Sequence, residues 1–242
     1  MIVDTKFDKV DSGGEFLTAS VPLEGDLPLK MPTRVVRRPG SPALPTTITP
    51  GKEDLGSLKP PYAVLQIGED PQRVGVAADA GFMWDLSQLH LSQGFYEISC
   101  DISPKQVDKN GAGLAINFQS QTPQFGSGIH PNRWPTNIWF LKQGLLLVGG
   151  GKKDGSDAAV LMKYQPGEIY HVVMRVDLDK KLWGLEINGE PLLEDCPLPD
   201  FMQAGAVDDL EIKGLSFATN SSNGSEADSG FVIANMAMKK LR

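Results

Sequence analysis

The sequence predicts an all-β chain in which two antiparallel sheets pack face to face. Three observations carry that reading: hydrophobicity alternates with a period of two from Tyr96 onward, turn residues separate the alternating runs, and almost no segment keeps a helical period. In the first run Tyr96, Ile98, Cys100 and Ile102 point one way and Glu97, Ser99 and Asp101 the other. Leu114, Ile116 and Phe118 repeat the pattern against Ala115, Asn117 and Gln119. Tyr170, Val172, Met174, Val176 and Leu178 repeat it against His171, Val173, Arg175 and Asp177, with Val173 the one apolar residue on the outer side. Such a period is what a strand shows when it buries one face and wets the other.

Further strands are expected at 137–142, 144–148, 158–162, 182–188, 210–217 and 231–239. The turns between them are hairpin-like. Asn188-Gly189 is the strongest, because a type I′ turn needs positive φ at both central positions. Trp84 to Leu91 is the best short helical candidate and is too short to change the class. With roughly five to seven strands in each sheet, Ile98, Ile116, Phe118, Val172, Met174, Val176, Leu185 and Ile187 are expected in the core.

At 242 residues, with 40% hydrophobic residues, the chain can fill one large core, and a single domain spanning residues 1–242 is expected. Nine of the eighteen prolines fall between Ser20 and Pro61, so that stretch reads as extended chain unable to join the middle of a sheet. Strand-like residues flank it at 5–10 and 62–68, which favours an ordered insertion at about 20–61 wrapping the sandwich. Thr219 to Gly230, rich in Ser, Asn and Gly, reads as a loop between the last two strands.

A net charge of −7 argues against nucleic acid as the partner. The basic cluster Lys30, Arg34, Arg37 and Arg38 lies among prolines without aromatic neighbours and reads as a solvated loop. No apolar run approaches the roughly 18 residues of a membrane helix, so membrane insertion is not expected. The first residues lack a secretory apolar stretch, which leaves either a cytoplasmic protein or one whose signal has been removed. Cys100 and Cys196 are too few for a disulfide framework or a structural zinc site.

The stretch from Tyr164 to Gly189, with Pro166-Gly167 ahead of Tyr170 and a strand ending in Ile187-Asn188-Gly189, is similar to the pattern of concanavalin A-like and laminin G-like domains. Phe231 to Met238 resembles their closing strand, with Ala234 at the usual aspartate position and Asn235 retained. The resemblance covers about residues 94 to 242 and implies a jelly-roll β-sandwich in an extracellular or periplasmic setting. The superfamily includes lectins, glycoside hydrolases, carbohydrate-binding modules and adhesion domains, so fold alone does not choose among them.

Chemistry-bearing motifs are sparse. The hydrolases of this fold place their acids as Glu-x-Asp-x-x-Glu on one strand, a pattern absent here; Glu97 and Asp101 share a face with Ser99 between them. The run Gly149 to Gly155 departs from a phosphate-binding loop, with Leu146 at the first glycine position and Lys153 where Ser or Thr is needed. His90, His130 and His171 have no metal-ligand spacing, and no nucleophile elbow is present. No catalytic residue, metal ligand or cofactor is therefore assigned. Calcium is the one ion left open, at Asp154/Asp157, Asp177/Asp179 or Asp208/Asp209.

The densest unusual constellation is 128–139, where His130, Asn132, Arg133 and Trp134 sit in a proline-bounded loop. An indole can cover the apolar face of a pyranose while amide, imidazole and guanidinium groups bond its hydroxyls. Trp139 is expected to pack into the sandwich edge. Asn117, Gln119, His171 and Arg175 join the loop as candidate ligand-binding residues if their strands lie side by side. The expected function is a non-catalytic, lectin-like carbohydrate-binding module. The alternatives are a polysaccharide-cleaving enzyme using Glu97 and Asp101, or a structural or adhesion domain with a protein partner.

Overall fold

The computed structural model describes residues 3–4, 16–22, 28–35, 47–60, 62–66, 78–86, 89–105, 112–119, 136–141, 144–149, 159–198, 211–212, 214–221 and 230–242. Its regular elements are strands. The N-terminal half supplies β1 (Val3–Asp4), β2 (Phe16–Pro22), β3 (Pro28–Val35), β4 (Thr47–Pro50), β5 (Ala63–Gln66), β6 (Ala78–Asp85), β7 (Phe95–Pro104) and β8 (Ala112–Gln119). The C-terminal half supplies β9 (Thr136–Leu141), β10 (Leu145–Gly149), β11 (Ala159–Lys163), β12 (Tyr170–Asp177), β13 (Leu182–Ile187), β14 (Glu190–Pro197), β15 (Gly214–Ser221) and β16 (Gly230–Lys240). No helix among the described residues is long and apolar enough to cross a membrane.

All pairings are antiparallel. A first sheet runs β5-β16-β7-β12-β13-β14 with β4 outside β5, and a second runs β2-β3-β6-β15-β8-β9-β10-β11. The short β1 links them, pairing Val3 and Asp4 with β16 and Asp4 with Ser20 of β2. The two sheets share one core. Ile98, Cys100 and Ile102 of β7 and Val172, Met174 and Val176 of β12 meet Ile116, Ile138, Phe140, Leu146 and Leu215 from the second sheet. All seven described members of the expected core, from Ile98 to Ile187, are buried, while the side chain of Phe118 lies outside the described set. The strand alternation therefore reports the sandwich directly, because each strand turns every second side chain toward that core.

Aromatic packing closes the interior. The ring of Phe140 from the second sheet lies 5.3 Å from Tyr164, 6.1 Å from Tyr170 and 6.5 Å from Phe231, all in tilted or edge geometry. The Tyr170 hydroxyl accepts from the backbone N–H of Gln165 at 2.7 Å, so the ring is buried without stranding its polar tip.

Three features differ from the sequence expectation. The 84–91 stretch forms no α-helix among its described residues. Trp84 and Asp85 finish β6 and pair with Leu215 and Gly214, and Leu91 bridges Ile212, so sheet pairing overrides the weak helical pattern. The proline-rich stretch does enter the sheet, since β3 pairs with β2 on one side and β6 on the other. It does so because the β6 pairing is confined to Arg34 and Val35, beyond Pro28 and Pro32, and the prolines disturb no ladder on that side. The third is β14, which carries Pro191, Pro197 and three acids and forms because the Asn188-Gly189 turn folds it back on β13, with φ of 54° and 83° at those positions.

The end of the proline-rich stretch also covers part of the first sheet. Leu58 and Tyr62 pack on Val232 and Ala234 of β16, supported by Leu55, Val64 and Ile169. Tyr62 donates its hydroxyl to the Glu53 carbonyl at 2.6 Å, and its own carbonyl accepts from Gly51 N–H at 2.8 Å.

Phe140→Ala removes the ring that three other aromatics pack around, so it should cost about 3–5 kcal/mol of stability. A lowered urea midpoint with an unchanged slope is the expected result, and a midpoint like that of the parent protein would contradict this packing.

Candidate functional site

The outer face of the first sheet carries a ladder of charged and polar groups set by strand register. Glu97 of β7 stands opposite Arg175 of β12 and Lys239 of β16, and Asp101 stands opposite His171. Arg175 donates from Nε to Glu97 Oε2 at 2.7 Å and from Nη1 to Glu186 Oε2 at 2.9 Å, while Lys239 Nζ lies 2.7 Å from Glu97 Oε1. Four residues further along β7, His171 Nδ1 lies 2.7 Å from Asp101 Oδ1, and Asn235 Nδ2 donates to Asp101 Oδ2 at 2.6 Å. Asn235 reaches that oxygen from a bulge in β16, where its φ is 49° and the register shifts between Ala234 and Ala237. The backbone N–H of His171 donates to Asn188 Oδ1 at 2.7 Å, tying this row to the β13–β14 turn.

These contacts decide what the face can do. Burial alone would raise the Glu97 carboxyl, but the hydrogen bonds and charges of Lys239 and Arg175 outweigh it and hold the group below the ordinary carboxylate range. The Arg175 guanidinium is held above its usual value, first by its bond to Glu186 and then by Glu97, against the opposing effect of burial. A general acid for glycosidic cleavage must keep its proton near neutral pH, which needs a raised pKa. Glu97 is shifted the other way, and both oxygens of Asp101 are already engaged. The Glu97 and Asp101 pair thus forms a stabilising ladder without a free acid.

The expected gathering of Asn117, Gln119, His171 and Arg175 on one face does not occur. β8 is bonded to β9 and β15, whereas β12 is bonded to β7 and β13. Ile116 of β8 and Val172 and Met174 of β12 enter the same core, so these strands meet across the interior and not edge to edge. His171 and Arg175 belong to the ladder on the first sheet. His130, Asn132, Arg133 and Trp134 lie outside the described residues, as do Asp154/Asp157 and Asp208/Asp209. Asp177 accepts from Lys180 N–H and from Arg242, and Asp179 accepts from Gly94 N–H, so these carboxylates are engaged in turn and end contacts. Among the described residues no group of three or more His, Cys, Asp or Glu converges to hold a metal ion.

The second sheet brings a different set together. Asn117 pairs with Ser216 on one side and Asn137 on the other, and Ser216 pairs onward with Met83. The next row along is Gly81, Ala218, Ala115 and Trp139. Ile116, Ile138 and Phe140, the neighbours of positions 117, 137 and 139 along their strands, are buried in the core. The Trp139 side chain, expected at the sandwich edge, lies outside the described set. Ile138-Trp139-Phe140-Leu141 is apolar at every position and shows no period from which a face could be read. The 120–135 connection, which carries the loop candidates, leaves β8 after Gln119 and returns as β9 at Thr136, beside Asn117.

Glu97→Gln should lower stability at pH 7 by about 1–3 kcal/mol, the scale of charge-assisted hydrogen bonds. Because the folded Glu97 pKa is lowered from its ordinary 4.5, the parent's advantage is full above that value and is lost as pH falls through the lower folded one. Paired urea titrations at pH 7 and pH 3 test this, and an advantage that persists undiminished in acid would contradict the ladder.

No family model matches the chain, and no curated protein sequence matches it. Solved structures do. The carbohydrate recognition domain of Emp46p, in a potassium-bound form, is 11% identical with a TM-score of 0.53, covering 85% of this chain and 87% of that one. The family 7 alginate lyase A1-II′ is 14% identical at a TM-score of 0.48, covering 74% and 80% of the two chains. Another match, a sialidase, is 17% identical at a TM-score of 0.47, with 75% of this chain aligned; the chain spans only 16% of that protein's length. At these identities the likeness is one of fold. With its two antiparallel sheets, shared core and the likeness to the Emp46p domain, the chain has a jelly-roll β-sandwich fold of the concanavalin A-like kind.

Proposed function

We propose that the chain is a non-catalytic carbohydrate-binding module that holds a glycan on the outer face of the second sheet. The observation that carries this reading is the strand register that sets Ser216, Asn117 and Asn137 in one row beside the row of Gly81, Ala218, Ala115 and Trp139. Amides and a hydroxyl suit sugar hydroxyls, small residues leave room for a ring, and an indole suits its C–H face. Gln119 lies two residues along β8 from Asn117, and the loop carrying His130, Asn132, Arg133 and Trp134 joins β8 to β9 at the same end. The carbohydrate recognition domain of Emp46p, on the same fold, supports the ligand class.

The paired state of Glu97 and Asp101 weighs against the polysaccharide-cleaving alternative. A single domain over residues 1–242 and an extracellular or periplasmic setting belong to the same proposal.

A glycan array should identify at least one ligand. Trp139→Ala and Asn117→Ala should then each weaken it by about tenfold or more, and Trp134→Ala should do the same if the loop closes on the ligand, with melting temperatures close to the parent's. Full affinity in folded Trp139→Ala and Asn117→Ala proteins would move the site off this face. Glycan turnover abolished by Glu97→Gln would establish an enzyme instead.

A further inference from the structure

The β13–β14 hairpin closes on Asn188-Gly189, the two residues between the paired Ile187 and Glu190. Both are exposed, and their φ values of 54° and 83° fix the turn. One residue of β12 holds the asparagine at two points. The Asn188 backbone N–H donates to the His171 carbonyl at 2.9 Å, and the side-chain Oδ1 accepts the His171 backbone N–H at 2.7 Å. The side-chain amide thus stands in for a main-chain carbonyl where the β12–β13 ladder ends, and it is turned toward β12.

An Asn-Gly pair is also open to a reaction of its own backbone, since glycine has no Cβ to shield its nitrogen. The Gly189 nitrogen attacks Asn188 Cγ, its proton passes through water to Nδ2, the Cγ–Nδ2 bond breaks and ammonia leaves, so that a five-membered succinimide remains. Water then opens the ring at one of its two carbonyls, giving aspartate or isoaspartate at 188. The attack needs the amide to swing from β12 toward residue 189 and the Asn188 backbone to leave its turn conformation, so the bonds to His171 must first break. We infer that Asn188 is a deamidation site gated by opening of the β13–β14 hairpin, and that its isoaspartyl product unlatches β14 from the sheet. Aspartate keeps an oxygen for the His171 N–H, whereas isoaspartate lengthens a two-residue turn by one main-chain carbon. β14 depends on that turn, because it contains Pro191 and Pro197 and its pairing with β13 shifts register twice. Its departure uncovers β13, which has no proline to guard its edge.

The chain has two further Asn-Gly dipeptides, Asn110-Gly111 and Asn223-Gly224, which lie outside the described residues and serve as internal references. The whole protein is aged at neutral pH, folded in buffer and unfolded in urea, and deamidation is read at each site by peptide mass spectrometry. In buffer Asn188 should react about tenfold or more slowly than in urea, the suppression being set by how rarely the hairpin opens. Leu193→Ala, which removes a partly buried anchor of β14, should speed the reaction at Asn188 in the folded protein and leave Asn110 and Asn223 at the parent's rates. Leu192→Ala, the neighbouring anchor, serves if that variant does not fold. Equal rates at Asn188 in buffer and urea, or no acceleration in a folded variant, would overturn the gate. Hydrogen exchange then separates the two products, because the β14 amides should lose protection in the isoaspartyl protein and keep it in Asn188→Asp. Protection retained with isoaspartate at 188 would overturn the unlatching.

Discussion

Burial of alternate residues against one shared core determines which side chains this molecule can present. Once Tyr96, Ile98, Cys100 and Ile102 turn inward, Glu97, Ser99 and Asp101 face out, and β13 alternates likewise, while on β12 Val173 and Asp177 of the outward set are covered as well. A one-residue slip in any of these strands would bring charged groups into contact with Phe140 and Met174. The hydrophobic pattern and the surface chemistry are two readings of a single register.

The two outer faces put that register to different uses. On the first sheet, cations and carboxylates stand in alternate columns across β16, β7 and β12, so each charge finds its partner on the neighbouring strand. Cross-strand pairs of this kind stabilise a sheet and select its register. Their mutual satisfaction also leaves Glu97 ionised and paired, the opposite of what a general acid needs. On the second sheet the register brings Arg34, Met83, Ser216, Asn117 and Asn137 into one row, without such a ladder of alternating charges.

Most of the fold was legible because the strands from β7 onward alternate cleanly and are separated by strong turns. Legibility failed where local chemistry and tertiary pairing disagree. β3 contains prolines yet is flanked on both sides, because β2 pairs along its length while β6 pairs only at Arg34 and Val35, beyond the prolines. β14 has poor strand composition and is held by the turn before it. The candidate site was legible only in part. Asn117 and Gln119 were singled out from the alternation of β8, whereas the all-apolar run 138–141 has no phase from which a face could be read. His171 and Arg175 were grouped with Asn117 because strand order depends on contacts between residues far apart in sequence, and no local pattern reports it.

The position of β16 has a kinetic side. This strand sits between β7 and the β1 and β5 pairings, and it supplies Phe231, Ile233, Met236 and Met238 to the core. Residues from 230 onward must therefore meet partners near positions 3, 65 and 100 before the first sheet is continuous. Loops of that size are entropically costly to close, and chains dominated by such pairings fold on the slower end of the range. Until β16 docks, β7 exposes an open edge beside an incomplete core, which is the state most vulnerable to pairing with another chain. The charged ladder bears on that state as well. With Glu97 and Asp101 spaced along the waiting edge, a foreign strand pays for burying unmatched carboxylates, whereas β16 arrives with Lys239 in register and Asn235 on its bulge to meet them.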